Sequence, residues 1–172
     1  MQKILIEKGK KMKKKIAYIL SSVFGVGFCP VASGTAGSLV TLPLAFVLMY
    51  FVGAWWVVPL AAAIIFFVGV WSSKEVLKYT AHDPSLIVID EVAGQLTSFA
   101  LVAPMMYHNA SWQAFIIYAV GFALFRLFDI TKPSVVGWAD QKIENAYGVM
   151  LDDIFAGIFA SVLLFIVGLI IL

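Results

Sequence analysis

Polar residues are gathered into a few segments of the chain, and between them lie five almost wholly apolar runs, at about 39–53, 55–71, 92–107, 112–127 and 154–172. An α-helix rises 1.5 Å per residue, so crossing ~30 Å of hydrocarbon takes about 20 apolar residues. Several runs fall short of that, a deficit that local thinning, partial insertion or re-entrant packing accommodates. The pattern predicts an all-α fold: a compact multihelical integral membrane protein with about five membrane-embedded helices. It further predicts a basic N-terminal arm over 1–15 and a single membrane-embedded domain over 16–172.

If all five runs cross, the connections 53–55 and 106–112 share one side of the membrane, and the N-terminal arm, 72–91 and 128–153 share the other. All twelve basic and all ten acidic residues then gather on the second side. Excess Lys and Arg mark the cytoplasmic side, so the N-terminus is expected inside and the C-terminus outside. Trp55, Trp56, Tyr107 and Trp112 fall at the opposite ends, where an aromatic belt would sit. Three polar segments meeting on one face point to a site there rather than to a pore, because no run carries a charge near its middle.

Composition supports the membrane reading. Of 172 residues, 62% are hydrophobic and 13% charged, with a mean hydropathy of +0.98, against roughly 45–50% and 25% in soluble domains. The net charge of +2 conceals an asymmetry: seven of the twelve basic residues lie between Lys3 and Lys15, and from Ile16 onward five basic residues face nine acidic ones, a balance of −4. A membrane body short of Lys and Arg implies that a cation supplies the missing charge. The plainer alternative is solvated loop acids. The single cysteine, Cys29, excludes an intramolecular disulfide and a cysteine zinc cluster and is read as an inert buried thiol. His82 and His108 leave little material for histidine chemistry. The start, "KKMKKKIAYILSSVFGVGFCPVASG", imitates a signal peptide, but its small residues carry candidate chemistry of their own, so the segment is expected to remain.

The first chemical segment is "GVGFCPVASGTAGSLVTLP". Gly34 and Gly37 permit backbone angles closed to other residues, and Ser33, Thr35 and Ser38 place hydroxyls beside free amides where an apolar helix starts, a combination suited to a phosphate. An ordinary N-cap and tight turn fits the same residues. The second is "HDPSLIVIDEVAGQ", in which Asp90 and Glu91 break an apolar stretch and Gly94 follows one helical turn later. The third, "FRLFDITKPSVVGWADQKIENAYGVMLDDIFAG", puts Arg126 and Asp129 on one helix face, ends that helix at Pro133, and leaves Lys132 within reach of the headgroups. Asp152 and Asp153 then open the last helix, with Ala156 and Gly157 one turn on.

An acid pair followed by a small residue therefore occurs twice. Two helices packed at Gly94 and Gly157 would gather Asp90, Glu91, Asp152 and Asp153, with Asp129 as a fifth acid. So many like charges in a poorly solvated site require protonation or a divalent cation, and hard oxygen donors favour Mg²⁺, with Mn²⁺ possible, as one or two ions. With Arg126, Lys132 and the hydroxyl-rich turn, the set suits metal-assisted phosphoryl chemistry at the cytoplasmic surface. The residues alone do not separate hydrolysis from transfer.

The ordered motifs "SGTAGS" with the later Pro43, "IVIDEVAGQ", "FRLFDITKP" and "GVMLDDIFAG" resemble those of the phosphatidylglycerophosphatase A family. The resemblance implies Mg²⁺-dependent hydrolysis of phosphatidylglycerophosphate to phosphatidylglycerol and inorganic phosphate at the bacterial inner membrane, in phospholipid biosynthesis. Through it Asp90, Glu91, Asp129, Asp152 and Asp153 correspond to family acids and Arg126 and Lys132 to its basic residues, with the division between metal binding and catalysis left open; the expectation is metal binding by all five acids, with catalysis by Asp90, Asp129 and Asp153. Phosphate binding falls to Ser33, Gly34, Thr35, Gly37, Ser38, Arg126 and Lys132. The implied partner is a phospholipid in the cytoplasmic leaflet, with no nucleic acid. Two departures stand out: Ser33-Gly34-Thr35 where the family usually has Pro-Gly-Thr, and Asn145-Ala146-Tyr147 where it is often glycine-rich. The alternatives are a lipid synthase resembling the CDP-alcohol phosphotransferases, a small transporter, and a protein that binds cations or anionic lipid without turnover.

Overall fold

The computed structural model describes residues 2–80 and 85–172, with side chains from residue 7 onward. His82, Asp83 and Pro84, which open the second polar segment, lie outside the described residues. Those described form seven α-helices and no strand: α1 (Gln2–Ser21), α2 (Ser33–Val47), α3 (Val57–Val76), α4 (Ile89–Ser98), α5 (Trp112–Thr131), α6 (Val135–Lys142) and α7 (Ala146–Ile171). The all-helical expectation holds.

Four helical segments are long and apolar enough to cross a membrane: Ser33–Val52, in which α2 passes through a π turn at Leu48–Val52, then Val57–Val76, Trp112–Thr131 and Ala146–Ile171. The run at 92–107, expected as a fifth span, is instead the ten-residue α4 followed by turns and a short 3₁₀ helix at Ala103–Met105. Pro104 and the polar pair Gln95 and Ser98, hydrogen-bonded to each other at 2.9 Å, favour this break over a continuous helix. Irregular backbone at such depth is tolerated where protein covers it, and Phe99, Val102, Ala103 and Met106 are completely buried. The segment still reaches the far end of the bundle, where a side chain at Gly53 would meet the His108 ring and Tyr50 packs edge-on to it at 6.2 Å.

The last helix also differs from the expectation. It begins at Ala146, where the Asn145 side chain accepts from the Tyr147 amide at 2.8 Å, so Asp152 and Asp153 lie in its second turn instead of opening it. A first turn of Ala146, Gly148, Val149 and Met150, all buried, covers the acids from the end of the bundle.

The core forms where α4 is enclosed by α2, α3, α5 and α7, around Leu96, Phe99, Ile117 and Leu164. α4 and α7 cross at their small residues. A Cβ at Gly94 would lie 2.6 Å from the Asp153 carbonyl oxygen, and one at Gly157 would strike the Gly94 carbonyl and come within 2.9 Å of the Thr97 Cβ. This is the close approach that the repeated acid-then-small pattern predicts, and it sets both acid pairs at one level of the bundle.

Candidate functional site

At the end of the bundle opposite Gly53 and His108, a cavity of about 240 Å³ opens between the start of α2, the start of α4, the end of α5, and α6 and α7. Six carboxylates line it, from Asp90, Glu91, Asp129, Asp140, Asp152 and Asp153, together with Ser33, Gly34 and Lys132. All five acids singled out in the sequence are thus in one chamber. Glu91, Asp129 and Asp153 converge most closely, offering one oxygen each within 4.8 Å of one another.

Each acid is held differently. α5 carries Arg126 and Asp129 on one face, and the guanidinium meets the Asp129 carboxylate at 2.8 Å while also pairing with Glu91 on α4. The Ser38 hydroxyl, completely buried on α2, lies 2.9 Å from the same Glu91 oxygen, Oε2, that Arg126 meets, and 3.0 Å from the Gly34 carbonyl. Burial pushes the Glu91 carboxyl above its ordinary range and the Asp129 charge adds to this, while Arg126 and Ser38 pull it back. On the other wall, Lys132 pairs with Asp140 and, at 3.0 Å, with Asp152. Burial alone would lower the Lys132 pKa; its bonds to Asp140 and Asp152 outweigh that and raise it. Asp90 accepts from the Glu91 amide at 2.9 Å.

The conformation of Lys132 explains its position. It is the C-cap of α5, with left-handed φ of 45°, where glycine is the usual residue. That turn, followed by Pro133, sends the chain into α6 and turns the lysine toward the carboxylates instead of outward to the headgroups.

The donor set fits a divalent cation. One oxygen each of Asp152 and Asp153 is buried without a hydrogen-bond partner, a costly state for carboxylates unless a cation or proton meets them. Six carboxylates against Arg126 and Lys132 leave a formal excess of four negative charges around one chamber. Glu91, Asp129 and Asp153 therefore form a buried acidic triad able to bind a metal ion, and all-oxygen donors suit a hard one.

The hydroxyl-rich segment is not the expected turn: Ser33 to Ser38 form the first turns of α2, so Gly34 and Gly37 are helical, with no backbone angle reserved for glycine, and the segment's residues divide. Ser33 and Gly34 line the cavity at the N-terminus of α2, and no side chain caps that helix, because its N-cap residue is Ala32; the Ser33 hydroxyl donates to the Ser85 carbonyl at 2.8 Å. Thr35, Gly37 and Ser38 are not among the lining residues; Gly37 packs against Val88 and the Glu91 stem. Cys29 is exposed, not buried as expected, because it lies in the loop between α1 and α2 and not in a helix-packed face. Sequence reasoning missed Asp140, Ser85 and Gly148. Asp140 had a signal, as a further acid in the third segment; Ser85 and Gly148 contribute through backbone position, which no residue type announces.

Fold and site together define an all-helical membrane protein with an acid-walled chamber at one end of its bundle. Residues 19–168 match the sequence profile of the family described as Phosphatidylglycerophosphatase A. The chain is 33% identical to phosphatidylglycerophosphatase A of Haemophilus influenzae, with 86% of each chain covered. It is 30% identical to the protein of that name from Escherichia coli, covering 88% of this chain and 83% of the relative. A Bacteroides thetaiotaomicron protein, provisionally named a phosphatidylinositol-3-phosphatase, is 33% identical over 85% of this chain and 89% of its own. No solved structure matches. The chain belongs to the phosphatidylglycerophosphatase A family, and its relatives' names identify it as a phosphatase.

Proposed function

We propose that the protein hydrolyses phosphatidylglycerophosphate to phosphatidylglycerol and inorganic phosphate, with Mg²⁺ held by Glu91, Asp129 and Asp153, as a step of phospholipid biosynthesis at the cytoplasmic face of the inner membrane. The observation that carries the reading is the convergence of those three carboxylates beside an uncapped helix N-terminus and Lys132 in one chamber. When bound, the cation supplies positive charge against the phosphate oxygens and makes water a better nucleophile.

The chain's own groups do the rest. The amides at the start of α2 and the Lys132 ammonium receive the terminal phosphate, a positive helix end and a cation acting on one dianion. Arg126 fixes Glu91 and Asp129, and Asp140 with Asp152 fixes Lys132, so the polar groups are oriented before substrate arrives. Water attacks phosphorus as the bond to the glycerol oxygen breaks; a carboxylate among Asp90, Asp129 and Asp153 takes the water proton and passes it to the departing glycerol oxygen, which leaves as the alcohol while the carboxylate is regenerated. The diacylglycerol tails stay in the bilayer throughout.

The test uses purified full-length protein with phosphatidylglycerophosphate, phosphatidylinositol 3-phosphate and soluble glycerol phosphate, each with Mg²⁺ or a chelator, following phosphate release. Mg²⁺-dependent turnover of the first substrate is expected, with a loss of at least about a hundredfold in Asp153→Asn. Full activity in that variant, correctly folded, would sink the assignment, and preference for the inositol lipid would redirect it.

A further inference from the structure

Outside the chamber, the chain carries a second concentration of chemistry that turnover does not use. Six lysines lie between residues 8 and 15 of α1, a helix that is not among those apolar enough to span a membrane. They divide by role. Lys13 bridges to Glu75 of α3 at 2.9 Å, and Lys14 sits 4.0 Å above the Tyr79 ring, so these two pin α1 against the end of α3. Lys8, Lys11 and Lys15, spaced three and four apart, share another face, are exposed, and make no ion pair among the described residues.

The loop following α1 adds an apolar counterpart. Phe24 is 82% exposed, Phe28 65% and Val31 75%. The backbone presenting them is held in costly conformations, with left-handed φ of 47° at Val23 and 55° at Phe24. Every amide from Ser22 to Cys29 nevertheless donates within the segment: Ser22 to the Tyr18 carbonyl, Phe24 to that of Ile19, Gly27 to that of Ser22, and the others likewise. With the amides from Ser22 to Cys29 satisfied, this part of the loop enters a low-dielectric layer at a reduced penalty. Cationic heads beside protruding aromatic residues are the two components of interfacial binding to an anionic lipid surface.

The loop is also fastened to the chamber. The Val88 amide donates to the Ser21 carbonyl at 2.9 Å, a Cβ at Gly27 would run into the Leu86 carbonyl, and the Ser33 hydroxyl donates to that of Ser85. Ser85 and Ile87 line the cavity, and α4 with its acids begins at Ile89.

We infer that α1 and the 22–32 loop form an interfacial clamp for anionic bilayer lipid, with Lys8, Lys11 and Lys15 on the headgroups and Phe24, Phe28 and Val31 in the acyl boundary, holding the chamber mouth at that surface. Its value to the enzyme rests on the proposed lipid substrate, but the binding itself does not. Cys29, the chain's single cysteine and exposed within the loop, is a built-in probe. The full-length protein is placed in nanodiscs of phosphatidylcholine alone, or of phosphatidylcholine with about one-third phosphatidylglycerol, and labelled with a water-soluble maleimide. Slower labelling is expected in the anionic discs. The protection should fall roughly fivefold per lysine through K8Q, K11Q and K15Q in succession and disappear at about 1 M salt, while Phe24→Ser/Phe28→Ser should expose Cys29 in both disc types. Circular dichroism confirms that helicity is kept. Equal labelling of the wild type in both discs, or full protection in the triple lysine variant, overturns the inference. Because labelling does not depend on turnover, Asp153→Asn should keep the protection, which separates failure here from failure of the assigned reaction.

Discussion

A methyl group added at Gly157 would collide with the Gly94 carbonyl, a backbone atom that cannot rotate aside, and would press on the Thr97 Cβ at 2.9 Å. Gly157→Ala must therefore separate α4 from α7, and because Asp153 lies one turn away the separation reaches the triad. Overpacking of this kind costs about 1–3 kcal/mol. We expect a clear drop in the thermal midpoint in detergent together with loss of phosphate release, whereas Gly9→Ala, with nothing within 4 Å of the added carbon, should change neither. An unchanged midpoint for Gly157→Ala would contradict the crossing described above. At this scale much was legible: the spacing of small residues after each acid pair foretold the packing, and the three-residue spacing of Arg126 and Asp129 placed them on the one face where they pair. The division of labour among the acids was not, since whether Asp152 meets a metal or Lys132 depends on neighbours 20 residues away in sequence.

The corner between α5 and α6 acts as a unit. The left-handed turn at Lys132 aims its ammonium between Asp140 of α6 and Asp152 of α7, so two helices hold one cation. If Lys132 receives phosphate, Lys132→Met should lower kcat/KM by about a hundredfold. Asp140→Asn, which leaves Asp152 to orient the ammonium, should cost about tenfold. Steady-state kinetics on both variants checks the order; a larger loss for Asp140→Asn would make that carboxylate, not the lysine, the principal group. Elements were read from hydropathy with uneven success. α3 and α5 stand where the apolar runs put them, and α2 begins six residues before its run. α4 is too short to cross and α7 starts eight residues before its apolar run, because hydropathy averages over a window and does not register a buried segment of mixed polarity whose backbone is covered by neighbouring helices.

For the whole molecule, the loops near Gly53 and His108 meet at one end while the chamber, the lysine-rich α1 and all the helix ends bearing charge meet at the other. The run at 92–107 changes form, but Asp90 lines the chamber while His108 meets Gly53 at the far end, so five passages between the two ends are still expected. A reporter fused after Leu172 should behave as non-cytoplasmic, and one fused before Gln2 as cytoplasmic; the reverse pair of results would invert the orientation of the chamber. The sequence by itself determined the helical class, the existence of a charged end and an aromatic end, and the identity of five acids, because hydropathy and charge act locally and additively along the chain. Only the tertiary structure decided that Glu91, Asp129 and Asp153 form the tight triad, that Asp140 joins the wall, and that the loop bearing Phe24 and Phe28 is bonded to the chamber rim. Those are contacts between residues far apart in sequence, fixed by packing at Gly94 and Gly157 and by single backbone hydrogen bonds, and neither composition nor periodicity encodes them.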